Sequence, residues 1–133
     1  MATMAQAKQF ALLTKGLGYL NQVRTIEPKS GYPFLAVTIS ALRGLDQNVR
    51  YTYFDCVVSG RLCNTYVSQL APYVEAGEKV LVRFRIRDLN ASAFIYPKGP
   101  KEGQPGVNVK AKLIGIDWAR VNGVAFTEMD NVA

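Results

Sequence analysis

Three arginines, Arg83, Arg85 and Arg87, alternate with apolar residues between Lys79 and Asp88. Alternate side chains of a strand point the same way, so three guanidinium groups would stand on one face about 6–7 Å apart. That interval suits the phosphates of an extended single strand of nucleic acid, and the guanidinium fork matches phosphate geometry. The plain alternative is a solvated outer face. A second set is Tyr51 and Tyr53, which would share a strand face with Asp55, Val57 and Ser59. Thr52, Phe54, Cys56 and Val58 then take the other face, which reads as core. Rings on an open face stack bases without regard to sequence. Cross-strand packing against a neighbour is the alternative use of such rings. A third set, Phe94, Tyr96, Lys98 and Lys101, combines aromatic and basic residues around a loop, which otherwise reads as ordinary hydrophilic connection.

The charge is unevenly placed. The formal net charge is +6, and the stretch from Lys79 to Lys112 holds eight bases, including Lys110 and Lys112, against two acids. That window carries the whole surplus, and a polyanion is the natural partner of such a patch. Catalysis is not expected. The chain has no histidine, the commonest general base and metal ligand. Its ten acids are scattered, whereas a nuclease needs clustered carboxylates for its metals. The loop glycines do not fit the GxxxxGK[ST] phosphate cradle. Two cysteines, Cys56 and Cys63, are too few for a metal site and read as small buried hydrophobes in a reducing cytoplasm. No cofactor, metal or small-molecule substrate is expected.

A fold must position these sets. At 133 residues, 49% apolar and 20% charged, the chain has the makings of one globular domain with its own core. No stretch reaches the roughly 18 apolar residues of a membrane helix, and the start lacks the pattern of a secretory signal. A soluble, cytoplasmic protein is expected. Residues 1–15 read as a flexible segment, 16–121 as the domain and 122–133 as a short tail, with one further short strand at 124–126. Gly16–Arg24 reads as a first strand, Phe34–Leu42 as a second and Arg50–Ser59 as a third, by alternation and β-branched or aromatic content. Leu62, Tyr66, Val67, Leu70 and Val74 fall at helical spacing, which predicts a helix over Arg61–Glu75. Pro72 should kink or restart it, and Gly77 should close it. Lys79–Asp88 is a fourth strand, with Ala93–Tyr96 resuming it after a break. Pro97–Gly106 is a loop by its prolines and glycines. Val107–Trp118 is a fifth strand, with a bulge at Gly115.

Three strands, a helix and two strands is the order of the OB-fold, a five-stranded barrel whose loop between strands four and five often contacts ligand. The chain resembles bacterial single-stranded DNA-binding proteins of that class in Gly16-Leu17-Gly18-Tyr19-Leu20, in Tyr53 to Gly60 and in Gly77-Glu78-Lys79-Val80-Leu81-Val82. That resemblance implies that Tyr53 sits where those proteins place a base-stacking tryptophan. Their long tail with an acidic tip has no counterpart in Thr127 to Ala133. A closer resemblance rests on Gly18-Tyr19-Leu20-Asn21, Pro33-Phe34-Leu35-Ala36, the Tyr53–Gly60 run, Phe84-Arg85-Ile86 and Lys110-Ala111-Lys112-Leu113-Ile114. It is to a family carried by integrative and conjugative elements, labelled as element replication proteins or as a domain of unknown function. That family implies a role in maintaining element DNA. The expected partner is single-stranded DNA; a protein-assembly module on the same fold is the alternative. A homo-oligomer, dimer or tetramer, is also expected, with Gly16–Arg24 as the strand edge that would pair.

Overall fold

Val80, Val82, Phe84 and Ile86 are fully buried, while Arg83 between them stays exposed. That period of two belongs to a strand with one face on a core. The computed structural model describes residues 10–126. They form β1 (Leu13–Ile26), β2 (Phe34–Leu45), β3 (Asn48–Val58), α1 (Arg61–Glu75), β4 (Val80–Ile95), β5 (Pro105–Val121) and β6 (Val124–Ala125). Hydrogen-bonded neighbours run β3-β2-β1-β4-β5-β6, and a parallel pairing of β3 with β5 joins the ends. Five strands therefore close into a ring, with one helix between the third and fourth, as the OB-fold order requires.

The ring encloses Leu20, Val37, Ile39, Phe54, Cys56, Val82, Phe84, Ile86 and Leu113, and α1 adds Val67 and Leu70. Phe54 and Phe84 meet edge to face with centroids 6.3 Å apart, an arrangement their ring quadrupoles favour. Gly18 lets β1 and β2 approach: a Cβ there would lie 2.8 Å from both Ile39 Cγ2 and the Ser40 carbonyl oxygen.

The helix has its expected bounds and, apart from Leu62, its expected inner face, with Val74 packed against the core. Cys63, Tyr66, Val67 and Leu70 are buried, while Leu62 is exposed. Spacing alone cannot choose between neighbouring stripes when Leu and Cys are both apolar. Pro72 does not interrupt the helix. It lies in the last turn, where its missing donor removes one bond, and its carbonyl still accepts from Ala76 N. Gly77 takes φ +82 just beyond the end.

β4 and β5 are longer than alternation suggested. The expected break after Asp88 is a bulge within one strand, with Asp88 at φ 59 and a register shift between Arg87 and Asn90. β4 pairs β1 only as far as Arg87, and β5 pairs β3 only from Lys110 to Leu113. Ala91–Ile95 and Pro105–Val109 pair with each other alone, forming a two-stranded arm beyond the ring. β1 begins at Leu13 rather than Gly16; β4 flanks Leu13–Tyr19 and β2 flanks Gly18–Ile26, so only Gly18 and Tyr19 are paired on both sides. The part of the expected tail that is described is built in. Phe126 packs between Tyr66 and Tyr73 of α1, at 6.0 and 5.9 Å between ring centroids. Residues 1–9 and 127–133, which hold most of the expected flexible start and tail, lie outside the described residues.

Candidate nucleic-acid interface

Phe54, Cys56 and Val58 face the core, so β3 turns Tyr51 and Tyr53 outward, 42% and 61% exposed. Tyr53 pairs with Ser40 of β2, and Ser40 pairs with Tyr19 of β1. Two tyrosines thus flank one small residue on a row across the sheet. A small residue between two large ones leaves a hollow. A cavity of about 310 Å³ opens there, lined by Tyr19, Asn21, Ser40, Tyr51 and Tyr53 together with Gly77–Val80. Asn21 Nδ2 donates to Ser40 Oγ, fixing both polar groups at its base.

The Gly77–Val80 side is held from the far end of the chain. Asn122 donates its backbone N–H to the Lys79 carbonyl at 2.8 Å and accepts from Lys79 N at 3.0 Å through Oδ1. Its Nδ2 donates to Glu78 Oε1 at 2.9 Å. One side chain therefore satisfies two residues bordering the cavity and holds the Lys79 backbone at its edge.

Farther along β3, the Thr38 hydroxyl donates to Asp55 Oδ1 at 3.1 Å, and the Arg24 guanidinium stands 3.9 Å from the same oxygen. Asp55 is opposite Lys110 in the parallel β3–β5 register, and Val57 is opposite Lys112. Both lysines are exposed. The acid on this face is accordingly surrounded by cations.

The arginine stripe is arranged otherwise. All three side chains point out of the ring, but β4 is separated from β3 by β1 and β2 on one side and by β5 on the other. The arginines and the tyrosines do not form one patch. Position along a strand fixes which face a residue takes and leaves open which strands stand beside it. Arg85 Nε lies 2.9 Å from Asp117, with its guanidinium over Gly115. Arg87 lies 3.6 Å from Asp88, and its Nε is shielded from solvent without a hydrogen-bond partner. Arg83 is the stripe's exposed member without an ion pair among the described residues.

Phe94, Tyr96, Lys98 and Lys101 gather at the tip of the arm. The two rings meet edge to face at 4.8 Å, and a Cβ on Gly106 would lie 2.5 Å from Phe94 Cζ. Lys101 Nζ sits 5.6 Å from the Tyr96 ring centroid, a cation–π contact. Lys98 is exposed in the turn.

Residues 3–132 match DUF3577, described as a protein of unknown function. The chain belongs to the DUF3577 family. No curated protein and no solved structure matches it. Among the described residues of this DUF3577 chain, no helix is long and apolar enough to cross a membrane, and no three His, Cys, Asp or Glu cluster as metal ligands would. Cys56 and Cys63 are both buried. Burial pushes the Cys56 thiol up to about 12, with the Asp55 charge adding, and burial pushes Cys63 up to about 11.

Reading the sequence missed Tyr19, Asn21, Ser40 and Asn122. Tyr19 lies in a strand chosen for its glycines, and nothing local marks it as a partner of Tyr53. The Asn122-Gly123 pair does carry a turn signal.

Proposed function

We propose that this DUF3577 protein is a non-catalytic, sequence-tolerant binder of single-stranded DNA that serves replication or maintenance of a mobile element. The observation that carries this reading is the open cavity where Tyr19, Tyr51 and Tyr53 converge beside Lys79, on a chain with net charge +6. Rings on a sheet face offer stacking surfaces to unpaired bases, and neighbouring cations hold the phosphates between them. Lys79, Lys110 and Lys112 are the cations best placed relative to the tyrosines; Arg83, Arg85 and Arg87 belong to another sector of the ring. A base platform needs no acid–base pair and no metal. The mobile-element role rests on the sequence resemblance alone.

The test is anisotropy of a labelled dT oligomer with the full chain, repeated across salt. Micromolar or tighter affinity at about 50 mM salt is expected, falling with a log–log slope of about −0.7 per neutralised phosphate. Binding that is absent at that salt, or independent of salt, removes the reading.

A second reading, a protein-assembly module, is favoured by one specific surface. On the arm, Ala91 pairs Val109 and Ala93 pairs Val107, so one face is apolar, and Val107 is 65% exposed. A homo-oligomer would use such a face. Light scattering that gives a concentration-independent 14.7 kDa species at tens of micromolar removes self-association.

A further inference from the structure

We infer that single-stranded DNA bound in the tyrosine cavity continues across β1 to a second stacking site at Trp118, on the outer faces of β4 and β5. The inference rests on the DNA reading above and extends it to residues that reading does not use.

Simple alternation places Trp118 on the same face as Ile116, in the core. The structure turns it out. Phe84 pairs Ile116, but Arg83, the next residue along, pairs Trp118. Asp117 is the extra residue of a bulge, and a bulge reverses the faces that follow it. Ile116 and Ala119 are buried, whereas Trp118 is half-buried beside Arg83. Asp117, pushed out by the same bulge, takes Arg85 at 2.9 Å. The acid nearest the indole in sequence is thereby neutralised.

Two cations frame the ring. The Arg120 guanidinium carbon lies 4.8 Å from the indole centroid, a cation–π contact. Arg83 stands alongside, exposed and without an ion pair among the described residues. An indole, the guanidinium over it and a second, exposed guanidinium beside it together present what an unpaired nucleotide takes: a flat surface for its base and a fork for its phosphate.

The two sites lie on one line. Tyr53 pairs Ser40, Ser40 pairs Tyr19, Tyr19 pairs Leu81 and Leu81 pairs Arg120. Strands stand about 4.8 Å apart, so two strand intervals carry the path from Tyr19 to Arg120, about 10 Å. Leu81, between them, is half-buried and uncharged. A strand crossing β1 meets no acid on that row. This path explains why the exposed cation of the β4 stripe is Arg83: it borders Trp118, while Arg85 and Arg87 are engaged with Asp117 and Asp88.

Trp118 is the only tryptophan in the chain, so its emission reports this site alone. The experiment titrates the full chain with unlabelled dT oligomers of about 2 and about 20 nucleotides, either side of the usual 4–16 per OB-fold; the shorter spans about one phosphate interval and cannot bridge the path from Tyr19 to Arg120. Labelled versions of the same oligomers give affinity by anisotropy. The longer oligomer should quench Trp118 emission and the shorter one should not. Trp118→Ala should weaken the longer oligomer about 5- to 150-fold and the shorter one less than about twofold, with Trp118→Phe restoring most of the loss. Should Trp118→Ala fail to fold, wild-type emission and Arg83→Ala carry the test; Arg83→Ala should flatten the salt slope for the longer oligomer only. If the longer oligomer binds while Trp118 emission stays constant, the second site is wrong and the tyrosine cavity stands. If neither oligomer binds at about 50 mM salt, the DNA reading fails and this inference fails with it.

Discussion

The sheet face around Tyr53 and the tip of the β4–β5 arm both set aromatic rings beside lysines, yet they are held in different ways. Under Tyr53 lies the ring's core, with β2 paired beside it and, from Asp55 onward, β5 on the other side of β3. Beyond Val109, which still packs against the core, the arm is a ribbon of two strands paired with each other alone. Its rings pack on each other and on Gly106, and on its other face Ala91, Ala93 and Val107 are exposed while Val109 reaches the core. A two-stranded ribbon is marginal alone, whereas a closed ring fixes register on every strand. The difference teaches that similar residue sets can serve as a fixed platform in one place and an adaptable finger in another.

The largest expected effect contrasts the cores of the two regions. Phe84 is 1% exposed inside the ring, and Ile95 is 61% exposed on the arm. Phe84→Ala should cost about 3–5 kcal/mol by urea denaturation. Ile95→Ala should stay within about 0.5 kcal/mol, as surface changes do. A comparable loss from Ile95→Ala would mean that the arm face is covered, by a second copy or otherwise, and the contrast would break.

Glycines give a sharper version. At Gly18 an added Cβ meets backbone, the Ser40 carbonyl at 2.8 Å and Ala41 Cα at 3.0 Å. At Gly106 it meets the Phe94 ring at 2.5 Å, the end of a side chain on an open ribbon. Gly18→Ala should cost about 2–3 kcal/mol, because β1 and β2 must part. Gly106→Ala should cost about 1 kcal/mol, because the ring can swing. Equal losses would show the arm to be as constrained as the ring.

Binding separates the regions next. Tyr53→Ala should lose about 1–3 kcal/mol of dT affinity with the salt slope unchanged, since a ring carries no charge to the phosphates. Lys98→Ala with Lys101→Ala should change affinity less at high salt and reduce the slope by about 1.4 units, about 0.7 for each lost contact. A Tyr53→Ala variant that folds and binds like wild type would move the platform elsewhere.

The bounds of α1 were legible because Gly60 and Gly77 bracket a run with a 3.6-residue period. The two faces of β4 were legible because arginine and large apolar residues alternate from Val82 to Arg87. The arm was harder to see. Asn90-Ala91-Ser92-Ala93 carries little strand propensity, and only its pairing with Val107–Lys110 makes it a strand. The site was half legible. Tyr51 and Tyr53 declare themselves by spacing, but Tyr19 lies beside them only through the β1–β2–β3 register, and Lys79 only because β4 pairs with β1, both long-range properties. The arginine stripe was misplaced for the same reason. A bulge hides Trp118 more thoroughly, because one extra residue inverts the alternation from which faces are read.

The smallest effect concerns the two thiols of the core, set against a thiol placed on the arm. Cys56 and Cys63 rise from an ordinary 9.0 to about 12 and about 11 because burial penalises the thiolate. For a group whose folded value is raised, the unfolded chain ionises first as pH climbs. The stability that the protonated thiols contribute is complete below about pH 9 and is lost progressively between 9 and the folded values. Stability should therefore be flat with respect to the thiols from pH 7 to 8.5 and should decline by pH 10, within reach of urea titrations at each pH. Lysine and tyrosine titrate in the same range, so the measurement is a difference: the Cys56→Ala, Cys63→Ala double variant should decline less steeply than wild type. The contrast with the arm is kinetic. In wild type, a thiol reagent at pH 8 should modify both cysteines only as fast as the ring opens. Ile95→Cys, made in the double variant, should react at the rate of a free thiol, since that position is exposed. Rapid modification of Cys56 in the folded wild type would show that the ring opens at β3, and the platform under Tyr53 would then be no more fixed than the arm.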